Sequence, residues 1–170
     1  MSKYYSNKEI LLRIIWLVLN PLCFRFSPRM LYGWRNFILR IMGAKIGKRV
    51  KIYPTAIITF PWLLELGDGV IIAWGVNVYN VGKIKIGYKT IISQHAHLCG
   101  ATHDIVNPSF KLLRTGLEIG NNVWIASDAF IGPGVKVGDN SIVAARAVVV
   151  KNVEEGTIVG GNPAKIIRKR

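Results

Sequence analysis

Cysteine and acidic residues are scarce in this sequence. Its 170 residues include only two cysteines, Cys23 and Cys99, which lie far apart in the chain. Two such cysteines supply neither a disulfide framework nor the spacing of a metal site, so we interpret them as reduced thiols of a cytosolic protein. Nine Asp and Glu residues stand against 23 Lys and Arg residues, which leaves a net charge of +14. That excess predicts anionic partners such as phosphates, lipid headgroups or nucleic acid.

Long hydrophobic segments are absent as well. The most apolar stretch, residues 10–19, is interrupted by Arg13 and is too short to cross a bilayer. The chain does not open with the basic, apolar and small-residue pattern of a secretory signal. At 170 residues it is within the size of a single domain. We expect a cytoplasmic protein. Peripheral attachment to the inner face of the cytoplasmic membrane is compatible with this expectation.

A repeat of six residues runs through residues 119–153. Each six opens with an aliphatic residue, Gly or Ala usually follows, and the fifth position is small or β-branched. The side-chain periods of a helix and a strand are 3.6 and 2, so neither explains this pattern. A period this short predicts a solenoid of triangular cross-section in which three sixes make one coil. The opening residues are Ile119, Ile125, Ile131, Val137, Val143 and Val149.

The predicted solenoid explains the repeat physically. A flat side of about four residues pairs with the sides of the coils above and below, roughly 4.8 Å away. The opening aliphatic residues then point inward and stack, and each fully buried one contributes on the order of 1.5 to 3 kcal/mol. A chance run in an ordinary β-sandwich is the alternative, which six consecutive sixes without a slip disfavour.

The same frame begins earlier, at Ile46, and predicts five coils. Their bounds are 46–63, 66–83, 86–103, 119–136 and 137–154. One longer interruption, the loop of residues 104–118, separates the third coil from the fourth. Loops that leave a regular scaffold commonly carry function, so we expect the active residues near this one.

Residues 1–45 do not follow the repeat and are predicted to be helical. Ser6 and Glu9 form a capping-box pattern that predicts a helix from Asn7 to the Asn20-Pro21 pair. Ser27-Pro28 predicts the start of a second helix, and Gly43 its end. We therefore divide the chain into an N-terminal helical segment, 1–45, and a β-helix domain with a basic tail, 46–170.

The helical segment mixes arginines with large apolar residues. Two interpretations are open: an interfacial anchor against anionic lipid, or a cap that closes the end of the solenoid. The residues concerned are Arg25, Arg29, Trp34, Arg35, Phe37, Ile38, Leu39 and Arg40.

His103 is the strongest catalytic candidate among the residues of the loop region. It occupies the last position of its six, at a predicted corner, and the long loop begins directly after it. An imidazole there is accessible to substrate and suits a general base near neutral pH. His95 and His97 precede it in the same coil, so a zinc site must be weighed. Trimeric carbonic anhydrases built on such a solenoid draw three histidines from different coils, whereas these share one, which disfavours metal.

Several motifs of the chain resemble the hexapeptide-repeat acetyltransferases. They are the sixes, the segment Ala101-Thr102-His103-Asp104, the stretch 120–127 and the closing Gly161-Asn162-Pro163-Ala164-Lys165. The resemblance covers nearly the whole chain, and the N-terminal segments 31–35 and 43–47 share it. It is closest to the colanic-acid-type exopolysaccharide O-acetyltransferases and more distant to the galactoside and maltose O-acetyltransferases. Asp104 stands where the sugar enzymes often carry proline, which weakens any transfer of their acceptor identity.

The resemblance implies an all-β, left-handed parallel β-helix that assembles as a homotrimer. Acetyl-CoA would lie in a groove between subunits, with no metal, and the loop of residues 104–118 would reach across. His103 would take the proton from a sugar hydroxyl, which attacks the thioester directly in a ternary complex. Asp104, Glu118 or a main-chain carbonyl could orient His103, and the residues alone do not decide among them.

The resemblance also implies binding residues, each by its matching position. Asn77 matches a residue that contacts the acceptor sugar. Trp124 and Ser127 match positions that line the pantetheine groove, and Ala145 matches one that offers backbone contacts. Lys151, Lys165 and Arg168 match basic positions near the phosphates of coenzyme A, where cations suit the phosphate charge.

The predicted function is O-acetylation of a sugar hydroxyl in bacterial exopolysaccharide, capsule or O-antigen biosynthesis. The acceptor would be a sugar or a lipid-linked saccharide. The alternatives are N-acetylation of an amino sugar, a non-catalytic solenoid that recognises an anionic polymer, and a metal-dependent β-helix hydratase. Nucleic acid is not expected as a partner, because no recognisable binding motif accompanies the charge.

Overall fold

A computed structural model describes residues 5–170 of the chain. Its first helix, α1, spans Asn7–Leu19, and the predicted capping box is present at its start. The Ser6 hydroxyl accepts a hydrogen bond from the Glu9 N–H at 3.2 Å, and the Glu9 carboxylate accepts one from the Ser6 N–H at 3.0 Å. A π-helical turn, Asn20–Arg25, follows α1 directly. The prediction of this helix is confirmed.

The second helix, α2, spans Tyr32–Ile41 and begins later than predicted. Ser27 does not cap it, because the Ser27 hydroxyl donates to the Phe24 carbonyl at 2.6 Å and accepts from Arg35 at 2.8 Å. The side chain thus stabilises the preceding turn. The helix ends before Gly43, whose positive φ of 92° is the conformation favoured after a helix C-terminus.

Both helices close the first turn of the solenoid. The buried residues Trp16, Phe24, Ile38, Leu39 and Met42 belong to the same hydrophobic core as the solenoid interior. The Trp16 indole N–H donates to the Ile58 carbonyl at 2.8 Å. The helices therefore pack on the first turn of the solenoid.

Arg35, which the sequence grouped with the anchor residues, is fully buried. Its guanidinium donates to the carbonyls of Ile52, Pro28 and Arg29 and to the Ser27 hydroxyl, at 2.6 to 2.8 Å. Burial lowers the pKa of this guanidinium from its ordinary value. Arg35 therefore ties the chain before α2 to the first turn of the solenoid and cannot contact lipid. Ile38 and Leu39 are excluded from such a contact for the same reason.

The rest of the chain forms a parallel β-helix with three faces. The first face contains β1 (Lys45–Ile46), β4 (Leu64–Leu66), β7 (Ile84–Ile86), β12 (Leu117–Ile119) and β15 (Lys136–Val137). The second contains β2 (Lys51–Ile52), β5 (Ile71–Ile72), β8 (Ile91–Ile92), β13 (Trp124–Ile125), β16 (Ile142–Val143), β18 (Thr157–Gly161) and, antiparallel at its edge, β19 (Ala164–Lys169). The third contains β3 (Ile57–Ile58), β6 (Asn77–Tyr79), β9 (His97–Cys99), β14 (Phe130–Ile131) and β17 (Val148–Val149). A 3-10 turn, Pro61–Leu63, precedes β4.

The predicted lining of the solenoid is confirmed. All six opening residues of the sixes between 119 and 153 are buried, with at most 3% of their surface exposed. The fifth positions are buried too: Val123, Ala129, Val135, Ser141, Ala147 and Val153. The Ser141 hydroxyl, the one polar group among them, donates to the Glu154 carbonyl at 2.8 Å.

The solenoid has five complete turns and a partial sixth, whereas the sequence predicted five. Val153 bridges to Val137, and β18 continues the second face by pairing parallel to β16. The chain then reverses into β19, which pairs antiparallel to β18. The repeat ends at this reversal, which explains why the period alone does not reveal the last turn.

Candidate active site

The long loop is an antiparallel hairpin that leaves the corner between the third and first faces. Its strands are β10 (Thr102–His103) and β11 (Leu112–Leu113), with His103 opposite Leu112. At its base the Gly116 N–H donates to the Gly100 carbonyl at 2.8 Å. The hairpin is thus anchored to the third turn where it leaves and where it returns.

His103 lies on this hairpin with an exposed side chain. Its Nδ1 is 2.5 Å from the main-chain carbonyl oxygen of Phe110. A carbonyl can only accept a hydrogen bond, so Nδ1 carries the proton and Nε2 of the neutral ring keeps its lone pair. Phe110 has a φ of 45°, which is uncommon for a residue other than glycine. The arrangement leaves Nε2 as the nitrogen that can accept a proton.

The main-chain carbonyl is the one of the three suggested orienting groups that contacts His103. The Asp104 carboxylate instead accepts the N–H groups of Val106 and Asn107, at 3.0 and 3.3 Å, and so shapes the turn of the hairpin. Glu118 lies on the first face, 3.4 Å from Lys85. Sequence reasoning could not find the Phe110 carbonyl, because every residue carries one and only the hairpin geometry selects it.

The three histidines are separated by the fold. His95 lies at the corner between the second and third faces against Trp74, and the two ring centroids are 4.4 Å apart. His97 lies on the third face and packs edge-on against Phe130. Across residues 5–170 no group of three His, Cys, Asp or Glu residues is arranged to hold a metal ion. Both cysteines are free and partly buried.

Burial of His97 predicts that stability depends on pH. Its Nε2 is buried and makes no hydrogen bond within the described residues, and desolvation lowers the pKa of the imidazole. The unfolded chain therefore binds this proton more readily than the folded one. We expect the free energy of unfolding to fall as pH drops below about 6.5, the ordinary histidine value. Urea denaturation at pH 7.5 and pH 5.5 measures this, and His97→Gln should reduce the difference; an equal difference in both proteins would contradict it.

Three of the predicted cofactor residues lie on or beside the second face. Trp124 on β13 is half exposed, and its indole N–H donates to the Ser93 hydroxyl at 2.9 Å. Ser127 and Ala145 occupy successive turns of the corner between the second and third faces. The Arg146 N–H, next to Ala145, donates to the Ser127 carbonyl at 2.9 Å. The structure thus brings these three residues to one edge of the solenoid.

The predicted phosphate-binding residues are divided between two places. Lys165 and Arg168 lie exposed on β19, opposite Gly160 and Ile158, at the end of the second face. Lys151 is exposed at the corner between the third and first faces, the same corner from which the His103 hairpin leaves. Lys151 therefore shares an edge with His103 and not with Trp124.

Asn77 lies on the third face, between these two edges. It is half-buried on β6 and stands in register with Ile57 and His97. A face of about four residues is roughly 13 Å wide. Within one chain the candidate residues therefore lie along two edges, joined by the face that carries Asn77.

Comparison with known proteins gives consistent matches. Residues 116–151 match the family described as bacterial transferase hexapeptide (six repeats). The chain is 43% identical over 156 residues to the Escherichia coli (strain K12) protein named "Putative colanic acid biosynthesis acetyltransferase WcaF". The matched region is 92% of this chain and 86% of that protein.

Two solved structures extend the likeness to the fold. The structure of a maltose O-acetyltransferase from Clostridium difficile 630 superposes with a TM-score of 0.87 at 25% sequence identity. The superposition covers 96% of this chain and 89% of the maltose O-acetyltransferase chain. The second structure is the hexapeptide-repeat containing acetyltransferase VCA0836 from Vibrio cholerae, complexed with acetyl coenzyme A. It superposes with a TM-score of 0.79 at 25% sequence identity, over 96% of this chain and 90% of the VCA0836 chain.

Proposed function

This chain belongs to the hexapeptide-repeat acetyltransferases, and from that membership we propose that it acetylates a sugar hydroxyl during bacterial exopolysaccharide, capsule or O-antigen biosynthesis. It is an acyltransferase with acetyl-CoA as co-substrate, and its relative with 43% identity bears the name of a colanic acid biosynthesis enzyme. The observation that carries the proposal is the exposed His103 imidazole, whose Nδ1 is bound to the Phe110 carbonyl. This arrangement leaves Nε2 available to a hydroxyl.

His103 acts as the general base in the proposed mechanism. Its Nε2 takes the proton of the acceptor hydroxyl while the hydroxyl oxygen attacks the thioester carbonyl of acetyl-CoA. The C–S bond then breaks, the acetyl group remains on the sugar oxygen, and the coenzyme A thiolate takes the proton from Nε2. The Phe110 carbonyl stabilises the imidazolium between these steps, because it accepts the Nδ1 hydrogen bond throughout. Acceptor and donor must be bound together for this direct transfer.

The proposed binding residues suit the two substrates by their exposure and charge. Trp124 and Ala145 are exposed and Ser127 is half-buried, and the pantetheine arm can lie along the strip that these three residues form. The cations Lys165 and Arg168, beyond that strip on β19, suit the phosphates of coenzyme A. The Asn77 amide, on the face between the two edges, can donate to and accept from a sugar hydroxyl. Lys151 adds a cation at the edge of the His103 hairpin.

A homotrimer is part of the proposal, because one chain separates the candidate residues along two edges. A neighbouring copy that places its edge with Trp124 beside the edge with His103 would complete the site. The outward column of the second face supports such contact, since it is largely apolar: Ile71, Ile91, Trp124, Ile142 and Ile158. The first face instead alternates in charge through Lys45, Glu65, Lys85, Glu118 and Lys136.

Removal of the proposed cofactor contacts should weaken acetyl-CoA binding. We expect Arg168→Ala and Trp124→Ala each to raise the KM for acetyl-CoA by roughly 5- to 150-fold, because a lost charged hydrogen bond or a lost apolar contact costs about 1 to 3 kcal/mol. Initial rates at varied acetyl-CoA measure this. Lys45→Ala on the first face is the control that removes another exposed cation, one that pairs with Glu65, and its KM should stay at the wild-type value. An unchanged KM in both test variants would remove these residues from the cofactor site.

A screen of acceptors tests the proposal as a whole. Consumption of acetyl-CoA is measured with free sugars, nucleotide sugars, lipid-linked oligosaccharides and the corresponding amino sugars. We expect turnover with hydroxyl acceptors and an ester product that mild alkali releases. Turnover with amino sugars alone, giving an alkali-stable amide, would replace O-acetylation by N-acetylation. The absence of turnover with every saccharide class would overturn the proposal.

A further inference from the structure

The outer side of α1 is apolar where a surface helix is normally polar. Leu12, Trp16 and Leu19 form the stripe that packs on the core. The remaining surface of the helix exposes Ile10, Leu11, Ile14, Ile15, Leu17 and Val18, with Leu17 75% exposed. An ordinary surface helix carries charged and polar residues there, so core packing does not account for these side chains.

Exposed apolar side chains continue along the chain beyond α1 as far as Ile41, and no acidic residue lies between residues 10 and 41. We call all of these exposed side chains the helical apolar surface, and its members beyond α1 lie in the π-helical turn, the following segment and α2. Phe26 and Met30 are about four-fifths exposed, at 80% and 79%. The complete set is Ile10, Leu11, Ile14, Ile15, Leu17, Val18, Leu22, Phe26, Met30, Leu31, Trp34, Phe37 and Ile41. So many exposed apolar side chains in one part of a fold mark an interaction site.

The charge around the helical apolar surface is strongly positive. The first 64 residues contain eleven Lys and Arg but one acidic residue, Glu9. Arg114 lies 2.7 Å from the Glu9 carboxylate and holds the pKa of this carboxyl below its ordinary value. Arg13, Arg25 and Arg29 are exposed beside the apolar side chains. A partner must therefore be apolar and carry negative charge at its boundary.

From these features we propose that the helical apolar surface docks on an anionic phospholipid bilayer. The apolar side chains would enter the boundary between headgroups and acyl chains, and the arginines would contact the headgroup phosphates. No helix between residues 5 and 170 has the length and hydrophobicity needed to cross a bilayer. A second copy of this chain fits less well, because its own arginines would meet those of the first at the same boundary.

Docking at this surface would bring the catalytic hairpin to the membrane. The ion pair between Glu9 on α1 and Arg114, directly after β11, joins the helix to the end of the hairpin that carries His103. The Arg114 guanidinium also donates to the Val81 carbonyl at 2.8 Å. If the chain acetylates a saccharide as proposed above, the acceptor class selected by this placement is a saccharide linked to a membrane lipid.

Sedimentation with vesicles tests the docking surface in the full chain. We expect binding to vesicles of phosphatidylglycerol and phosphatidylcholine, weaker binding in high salt, and little binding to phosphatidylcholine alone. The double variant Leu17→Glu, Phe26→Glu should bind at least about tenfold more weakly, because it replaces two apolar contacts with negative charge. Ile166→Glu is the control: Ile166 is 61% exposed on β19, outside this surface, and its variant should bind as the wild type does.

Two results would overturn the docking proposal. One is no binding of the wild-type protein to anionic vesicles at low salt. The other is a smaller oligomer for the double variant by size-exclusion chromatography, which would assign the surface to contact between copies. Acetyl transfer to a soluble saccharide is measured on the same samples. Acetyl transfer without vesicle binding would contradict the docking proposal alone. Vesicle binding without acetyl transfer to any saccharide would contradict the proposed function alone.

Discussion

The variant His103→Ala is expected to lose roughly 10²- to 10⁴-fold in kcat while it keeps the fold and the affinity for acetyl-CoA. The loss follows from removing Nε2, the proposed acceptor of the hydroxyl proton. The fold should persist because the His103 side chain is exposed and lies outside the lining of the solenoid. Steady-state kinetics with a saccharide acceptor, together with calorimetric titration of acetyl-CoA, separates the chemical step from binding.

His95→Ala is the matched control for this loss of an imidazole. His95 lies at a different corner, packed on Trp74, and has no assigned role. We expect its kcat to remain within about threefold of the wild-type value, as for a surface substitution away from the site. If His103→Ala retained the wild-type kcat, a different general base would have to be sought. If it lost acetyl-CoA binding instead, His103 would be a cofactor contact.

Gly82→Ala is expected to lower kcat, although Gly82 is not among the proposed substrate-binding residues. A Cβ at Gly82 would lie 2.3 Å from both the Gly100 carbonyl oxygen and the Gly116 nitrogen. Those two atoms belong to the hydrogen-bonded pair that anchors the His103 hairpin. Backbone atoms cannot rotate away as a flexible side chain can, so the base of the hairpin must shift. A displacement of about 1 Å at a catalytic group can cost on the order of 10²-fold in rate.

The same substitution should lower stability. Forcing extra atoms into a filled site costs typically about 1 to 3 kcal/mol. We therefore expect Gly82→Ala to reduce the free energy of unfolding by about that amount in urea denaturation, together with a kcat lowered by about 10²-fold. Gly33→Ala in α2 is the control, because a Cβ there meets no atom within 4 Å and alanine favours a helix. Equal activity in the two variants would show that the hairpin base tolerates displacement.

The repeat made most of the scaffold predictable. The inward residues, such as Ile125 and Val143, must be apolar and evenly spaced because each stacks on its counterpart one turn away. This spacing of apolar residues is visible in the sequence. The start of α2 was not predictable in this way. Ser27 is chemically able to cap a helix, but its hydroxyl instead donates to the Phe24 carbonyl and accepts a hydrogen bond from Arg35. The choice depends on contacts across the fold.

For the candidate site, the sequence predicted side chains but not the backbone group that contacts His103. His103 was identified by its place before the loop and by resemblance, but the group that holds its ring is the Phe110 carbonyl. The arginine-rich helical segment was likewise ambiguous until burial separated Arg35 from Arg25 and Arg29. Both distinctions depend on where the backbone turns, which composition and spacing do not record.

The sequence by itself determined that this protein is a three-sided solenoid with a histidine at its one long loop, because its six-residue repeat fits neither the period of a helix nor that of a plain strand. Only the tertiary structure decided which carbonyl orients His103, which arginine enters the core, and how the candidate residues are distributed along two edges. These outcomes depend on backbone groups and on contacts between residues distant in the chain. Such contacts form only when the turns stack and the helices close the first of them.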